Sequence, residues 1–464
     1  MQAHSAVVTV LNRAVVLTMS SAREAALRAL VRVEADGAYL NLALPAYLQD
    51  LAGDERSLAV QLAAGTVQRL NTLDWSINLF SRRSSDTFTP WIRNLLRLSA
   101  YQIIYLDRIP DYAVVDEAVN LARRFGHRGV AGLVNALLRR LADQSTELPW
   151  PDQNKNPVEY LSLRHSQPQW LVTRAIDRFG FMEAENWCRA NNKKALVSIR
   201  PNLLRINSGE LINSLRNEGV EAVRSPLVPG MLQIERGSSP ALTASFKKGL
   251  FSIQGESSAL VAPLLQPQPG QTLVDLCSAP GGKTTHLAEL MNDQGLVYAV
   301  ETRMNRLKLV EKAARRLGLK SIRAILADGR NINIQDLSVP EAILVDAPCS
   351  GLGVIRRLPE IKWRRRPEDL IKMQVLQTEL LSSAAHLLPS GGRLIYSVCS
   401  NQPEETDQVT GKFNRAHPEF DPEPFRLLLP QLFQGDHGDA EPVHIWPHHH
   451  ELDGFFIALW RKKG

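Results

Sequence analysis

Apolar residues recur with a helical period from Ser21 to about Leu141; Val114, Ala118, Leu121, Ala122 and Phe125, for example, stand at i, i+4, i+7, i+8 and i+11. Consecutive amphipathic helices of this kind predict an all-α bundle. Ser21 suits the N-cap of its first helix with Glu24 three residues on, and Pro90 and Pro110 fall where helices should start or stop. Polar residues and prolines break the period between Gln144 and Asn156 (ELPWPDQNKNP), a linker composition. From Ser198 to Phe251, strand-like runs (SIRPNLLRIN, MLQIE) flank a helix-like segment at Glu210 to Glu218, which predicts a small α/β module.

After a second proline cluster (PLLQPQPGQ) apolar strands alternate with helix-compatible sequence: TLVDLC, LVYAVE, IRAILA, AILVDA and GGRLIYSVC. That alternation predicts a parallel sheet covered on both faces, with ligands beyond the carboxyl ends of its strands. The chain is thus expected to be multidomain. Residues 1–20 form an extension expected to be disordered, 21–145 the helical bundle, and 146–265 the linker and α/β module. Residues 266–464 form an α/β Rossmann-like domain with a mostly parallel, seven-stranded sheet.

Composition narrows the function classes. Hydrophobic residues at 44% and charged residues at 22% exclude a disordered or fibrous chain. A net charge of +6 permits an anionic partner. Four cysteines without a CxxC pair argue against a disulfide framework or structural zinc and fit a reducing cytoplasm. No apolar run is long enough for a membrane span, and Asn12 and Arg13 interrupt the apolar stretch from Ala6 to Thr18 that would otherwise suggest a signal peptide. His448, His449 and His450 point to alternate faces if extended and lack a companion ligand pattern, so no metal is expected. Cys188 beside Trp187 is expected to pack in a core, and the chain to act as a monomer.

The most informative segment is LVDLCSAPGGKTTHLAEL, where a strand ends in a turn holding Pro280, Gly281 and Gly282 and a helix opens at about Lys283. Glycines there let backbone amides approach a ligand, and a helix start favours electronegative groups. A phosphate-binding loop is the rival reading, from GGKT and the acidic strand ILVD, and would make the chain an RNA-dependent ATPase. Its pattern needs glycine five positions before Gly282, where Cys277 stands. Glu301 instead ends the next strand 19 residues beyond Gly282, where nucleotide folds place a carboxylate for ribose hydroxyls. Asp328, after the third strand, suits an adenine amino group.

Cys349 (VDAPCSGLG) and Cys399 (YSVCS) follow the fourth and fifth strands, with Asp346 close to the first. These groups suit covalent help to a feebly nucleophilic ring carbon such as C5 of cytosine. A thiolate adds to C6, an acid steadies N3 and the 4-amino group, and a second thiol assists release. Chemistry alone leaves open which cysteine does which job. Lys283 is a candidate for lowering a thiol pKa. The run IRRLPEIKWRRRPEDL places Arg356, Arg357, Lys362, Arg364, Arg365 and Arg366 around Trp363, a set suited to phosphate contacts and base stacking. The basic run and the bundle also admit a non-catalytic RNA-binding assembly factor.

The motifs CSAPGGKT, DAPCSGLGVIRRLPEIKWRR, YSVCSNQPEE and DGFFIALWRK resemble the RNA 5-methylcytosine methyltransferases, and within them the bacterial 16S ribosomal RNA subgroup of the RsmB (Fmu or Sun) type. The bundle, with NLARRFGHRGVAGLVNALLRRL, resembles the RNA-binding factor NusB. The resemblance spans residues 21–464 and implies an S-adenosyl-L-methionine-dependent enzyme acting on 16S rRNA or a small-subunit precursor. It assigns attack on the base to Cys399 and product release to Cys349. It sets the methyl donor against Cys277, Ser278, Ala279, Pro280, Gly281, Gly282, Lys283, Glu301, Asp328 and Asp346. Two positions depart from the family pattern: Val398 stands where threonine is usual, and Gly255 where aspartate is usual.

Overall fold

The computed structural model describes residues 21–332, 338–425, 428, 429, 432 and 442–464, and the expected extension at 1–20 lies outside them. The chain divides into two compact units, the first running to Asn192 and taking in Leu358–Trp363, the second formed by the rest.

The helical period of the first unit becomes α1 (Ala22–Ala35), α2 (Gly53–Gln68), α3 (Leu70–Phe80), α4 (Pro90–Tyr105), α5 (Asp111–Phe125) and α6 (Arg128–Gln144). Their apolar stripes meet in a core where Leu27, Leu62, Leu73, Ile77, Leu96 and Leu138 are wholly buried. Ser21 caps α1 by accepting the Glu24 N–H at 3.3 Å. The Glu24 carboxylate does not return to the cap; it is buried against Arg28 at 2.8 Å and Arg124 at 2.6 Å, so it ties α1 to α5. Pro90 opens α4 and Pro110 immediately precedes α5, as the missing proline N–H dictates. After the linker, α7 (Pro157–His165), α8 (Gln169–Phe179) and α9 (Phe181–Asn192) pack in the same unit, with the Thr72 hydroxyl donating to the Leu163 carbonyl at 2.5 Å. Cys188 on α9 is fully buried, which pushes its thiol up to about 12 and fits a packing role.

The second unit begins with strands β1 (Val197–Pro201), β2 (Val220–Arg224), β3 (Leu232–Gly237) and β4 (Phe251–Ile253), ordered β2-β3-β1-β4 with antiparallel pairing throughout. Helix α10 (Ser208–Asn217) lies between β1 and β2 in sequence and starts with a full capping box from Asn207 and Glu210. The helix-like segment and its flanking strands in this stretch are thus present, in a ferredoxin-like module.

The larger sheet holds β5 (Thr272–Asp275), β6 (Leu296–Glu301), β7 (Ile322–Leu326), β8 (Ala342–Asp346), β9 (Arg393–Val398), β10 (Phe420–Pro422), β11 (Val443–Ile445) and β12 (Phe455–Lys462). Its order is β10-β12-β9-β8-β5-β6-β7, parallel from β9 to β7. β12 lies antiparallel between β9 and β10. The three-residue β11, paired to β12, adds an eighth strand to the seven expected. Successive residues of β5 and β8 enter opposite cores, Leu273 and Leu344 on one face, Val274 and Ile343 on the other. Helices α11 (Gly282–Leu290) and α12 (Met304–Leu317), with α13 (Pro367–Leu387) and α14 (Asp407–Ala416), complete the domain. The strand order reverses between β5 and β8, so a crevice opens beyond their carboxyl ends. Among the described residues no helix is long and apolar enough to cross a membrane.

Candidate active site

The turn after β5 is built for close approach. The Gly281 N–H donates to the Ser278 carbonyl at 2.7 Å across a cis Ala279–Pro280 bond, and Gly281 has φ +105°. A Cβ there would lie 3.1 Å from the Val310 Cα, whereas one at Gly282 would meet nothing nearer than 3.8 Å. Only glycine suits the first position, while a Cβ at the second would make ordinary contact with the Gln254 side chain. The Ser278 hydroxyl and N–H both donate to the Val300 carbonyl, at 3.0 and 2.9 Å, which fastens the turn to the end of β6. Arg306 donates to the Ala279 carbonyl at 3.0 Å.

Two buried groups support the turn from beneath. Arg200 of β1 donates to the Gly282 carbonyl at 2.9 Å, pairs with Glu289 at 2.9 Å and bonds Gln254. The ferredoxin-like module therefore grips the first turn of α11. Asp275 is enclosed and accepts from the Thr284 hydroxyl at 2.7 Å, so it braces the loop and is not presented to a ligand. Burial lifts its carboxyl to about 7, against the Thr284 hydrogen bond.

Because that folded value lies above the ordinary 3.8, the native protein holds more protons than the unfolded chain between 3.8 and about 7. The contribution of Asp275 is therefore most favourable below the unfolded pKa and is lost as pH rises through the folded one. Asp275→Asn removes the titration while keeping an acceptor for Thr284. The expected result in chemical denaturation is a flatter stability profile from pH 4 to 7 and a gain of roughly 2–4 kcal/mol at pH 8.

Glu301, at the end of β6, is buried, its Oε1 accepting from the Thr302 hydroxyl at 3.0 Å and the Arg303 N–H at 3.1 Å. Asp328, beyond β7, is partly exposed and bound by Arg330 at 2.7 Å, which holds its carboxyl below the usual range. Asp346 ends β8 between two partners: Lys283 Nζ stands 2.7 Å from Oδ2, and the Ser397 hydroxyl donates to Oδ1 at 2.8 Å. The Lys283 ammonium is thus committed to the carboxylate, rather than to a thiol as the sequence reading supposed. Cys277 is half-buried, and desolvation pushes its thiol well above the ordinary value.

The Sγ atoms of Cys349 and Cys399 lie 3.2 Å apart. Parallel pairing of β8 with β9, which sets Asp346 opposite Ser397, delivers both following loops to one place. The hydrogen bond to Cys399 and burial raise the Cys349 thiol well above its ordinary value. Of the two departures, Val398 is wholly buried in the sheet and its neighbour Ser397 supplies the hydroxyl at this site. Gly255 precedes a short helix, Glu256–Ala259, without a side-chain cap.

The basic run is not one surface. Arg356 and Arg357 both clamp the buried Asp453, at 2.6 and 2.5 Å, and Arg365 donates to the Ser350 carbonyl at 2.8 Å. Lys362 is 1% exposed and donates to the Ser166 carbonyl at 2.5 Å, so it does not face phosphate. Trp363 packs on the bundle core and its indole N–H donates to the Val67 carbonyl at 2.7 Å, which removes it as a stacking platform. The expectation of a phosphate and stacking strip is corrected at those two positions; Arg364 is half-buried and Arg366 is exposed. Sequence reasoning missed Ser397 and Arg200; the first lies within the motif that flagged Cys399, whereas a lone arginine in a strand gives no signal.

The family described as "16S rRNA methyltransferase RsmB/F" matches residues 262–461, the NusB family residues 20–143, and a ferredoxin-like domain of RsmF/B-like methyltransferases residues 167–239. A "Probable ribosomal RNA small subunit methyltransferase B" of Bacillus subtilis is 38% identical over 96% of this chain and 99% of its own length. The crystal structure of PH0851 superposes with a TM-score of 0.80 and 31% identity over 94% of this chain and 98% of that one. That of NSun6 from Pyrococcus horikoshii with SFG superposes at 0.57 and 25%, over 64% of this chain and 98% of the other.

Proposed function

The chain belongs to the RsmB/F family of 16S rRNA methyltransferases, and from that premise we propose that it methylates C5 of a specific cytosine in 16S rRNA through a covalent bond between Cys399 and C6. The observation that carries the reading is the pair of sulfurs 3.2 Å apart beside the Lys283–Asp346 pair, at the strand ends where the glycine turn also lies.

The residues present fit S-adenosyl-L-methionine, on which this family depends: a glycine turn leading into the start of α11, a buried carboxylate at Glu301 and a partly exposed one at Asp328. That cofactor supplies the electrophilic methyl carbon. Cys399, as thiolate, forms a bond to C6 of the base and pushes electron density to C5, which takes the methyl group. Asp346, steadied by Lys283 and Ser397, accepts from the 4-amino group of the base. Release requires C5 to lose its proton and the C6–S bond to break, returning the electron pair to Cys399. Cys349, whose thiol touches that sulfur, hands its proton to the departing Cys399 and takes the C5 proton in exchange. The target carbon is inaccessible in a stacked helix, so the base is presented unstacked while the bundle and the ferredoxin-like module hold structured RNA.

The phosphate-loop reading has no comparable support, because Lys283, its phosphate-binding lysine, is paired with Asp346. The test is Cys349→Ala incubated with 16S rRNA and S-adenosylmethionine. A covalent protein–RNA band on denaturing gels is expected, and its absence would overturn the assigned roles. Bisulfite mapping of rRNA from cells lacking the protein should show one cytosine losing protection; an unchanged map would reject the substrate.

A further inference from the structure

Glu405 is wholly buried, yet its carboxylate contacts both cysteine loops. Oε1 accepts the Ser350 N–H at 2.6 Å and the Gln377 amide at 3.3 Å, while Oε2 accepts the hydroxyls of Ser350 and Ser400. Ser350 directly follows Cys349, and Ser400 directly follows Cys399. The Glu405 carbonyl accepts the Tyr396 hydroxyl at 2.7 Å, which fixes it to β9. One carboxylate, bonded by four donors, therefore bridges two loops that come from strands 50 residues apart in sequence.

We infer that Glu405 is a positioning residue that holds the thiols of Cys349 and Cys399 in contact for the reaction. The inference rests on the proposed roles of those cysteines, but the bridge itself is testable without RNA or methyl donor. Alanine removes the carboxylate and with it all four bonds, so the two loops are no longer tied to each other.

The experiment uses the full-length protein with oxidised glutathione as probe. Two thiols and one glutathione disulfide give the Cys349–Cys399 disulfide and two glutathione thiols, followed by mass spectrometry. The expected result is rapid closure in the wild type and closure at least about tenfold slower in Glu405→Ala, with kcat for methylation down about 10²-fold and KM for donor and RNA unchanged. Ser400→Ala, which frees only the Cys399 loop, should slow closure in the same direction and serves if Glu405→Ala does not fold. Unchanged closure in both variants, a fall in kcat without slower closure, or no disulfide in the wild type would each overturn the inference. Slower closure in the variants of a wild type that forms no 5-methylcytosine would sustain the bridge and reject the methylation reading instead.

Discussion

Cys399→Ala is expected to lower methyl transfer by a factor on the order of 10⁴ or more, about 5 kcal/mol or greater in transition-state stabilisation, while leaving donor affinity within a few-fold of wild type. The size follows from chemistry: without a bond at C6 the C5 carbon has no enamine electrons to offer, and binding alone cannot replace them. The neighbouring thiol does not substitute, because Cys349 is held protonated by its hydrogen bond to Cys399 and by burial, and it is set by the β8 loop rather than by β9. Donor binding is spared because the glycine turn is braced by Ser278, Thr284, Arg306 and Arg200, none of which touches Cys399. The double variant Cys349→Ala/Cys399→Ala should form no RNA adduct, unlike Cys349→Ala alone. Single-turnover assays with labelled donor and equilibrium dialysis measure the two quantities. A residual rate within tenfold of wild type would remove Cys399 from the role of nucleophile.

How much of this was legible from the chain depended on whether the signal was local. The bundle, the linker and the alternation of strands with helices follow from periodicity, and the glycine turn from residues within one stretch of chain. The cysteines were visible as chemistry at strand ends, but their contact was not. It depends on β8 and β9 lying side by side, which is set by the order of the whole sheet. Long-range commitments of charge were equally hidden. Glu24 looked like half of a cap and became a buried partner of Arg124. Lys283 looked like help for a thiol and is the partner of Asp346. The basic run misled most, because a row of cations says nothing about where its backbone goes: residues 358–363 enter the bundle, with Glu360 accepting the Leu40 N–H at 2.7 Å. An aromatic among arginines therefore packs, half-buried, against the bundle core.

The close seating of backbone against backbone beneath Cys399 makes Gly353→Ala the most damaging small substitution in the site. The Gly353 N–H donates to the Cys399 carbonyl at 2.9 Å, and the Gly353 carbonyl accepts the Gly454 N–H at 2.8 Å. These bonds draw three chain segments so close that a Cβ at residue 353 would lie 2.0 Å from the Gly454 oxygen, 2.6 Å from its carbonyl carbon and 2.9 Å from the Cys399 oxygen. All three are main-chain atoms, so no side-chain rotation relieves the clash; the loop carrying Cys399, the β12 entry or the β8 loop must move. Overpacking of this kind costs about 1–3 kcal/mol and the displacement of a reacting sulfur by about 1 Å costs on the order of 10²-fold in rate. The expected outcome is therefore a folded, destabilised protein whose kcat falls about 10²-fold and whose donor affinity is kept. Gly411→Ala is the matched control, since that glycine lies inside α14 with its nearest neighbour, an Arg415 nitrogen, 3.6 Å from the added carbon. It should raise stability by roughly 0.5–1 kcal/mol with kcat unchanged. Equal behaviour of the two variants would show that the contact between residues 353, 399 and 454 does not set the position of the nucleophile.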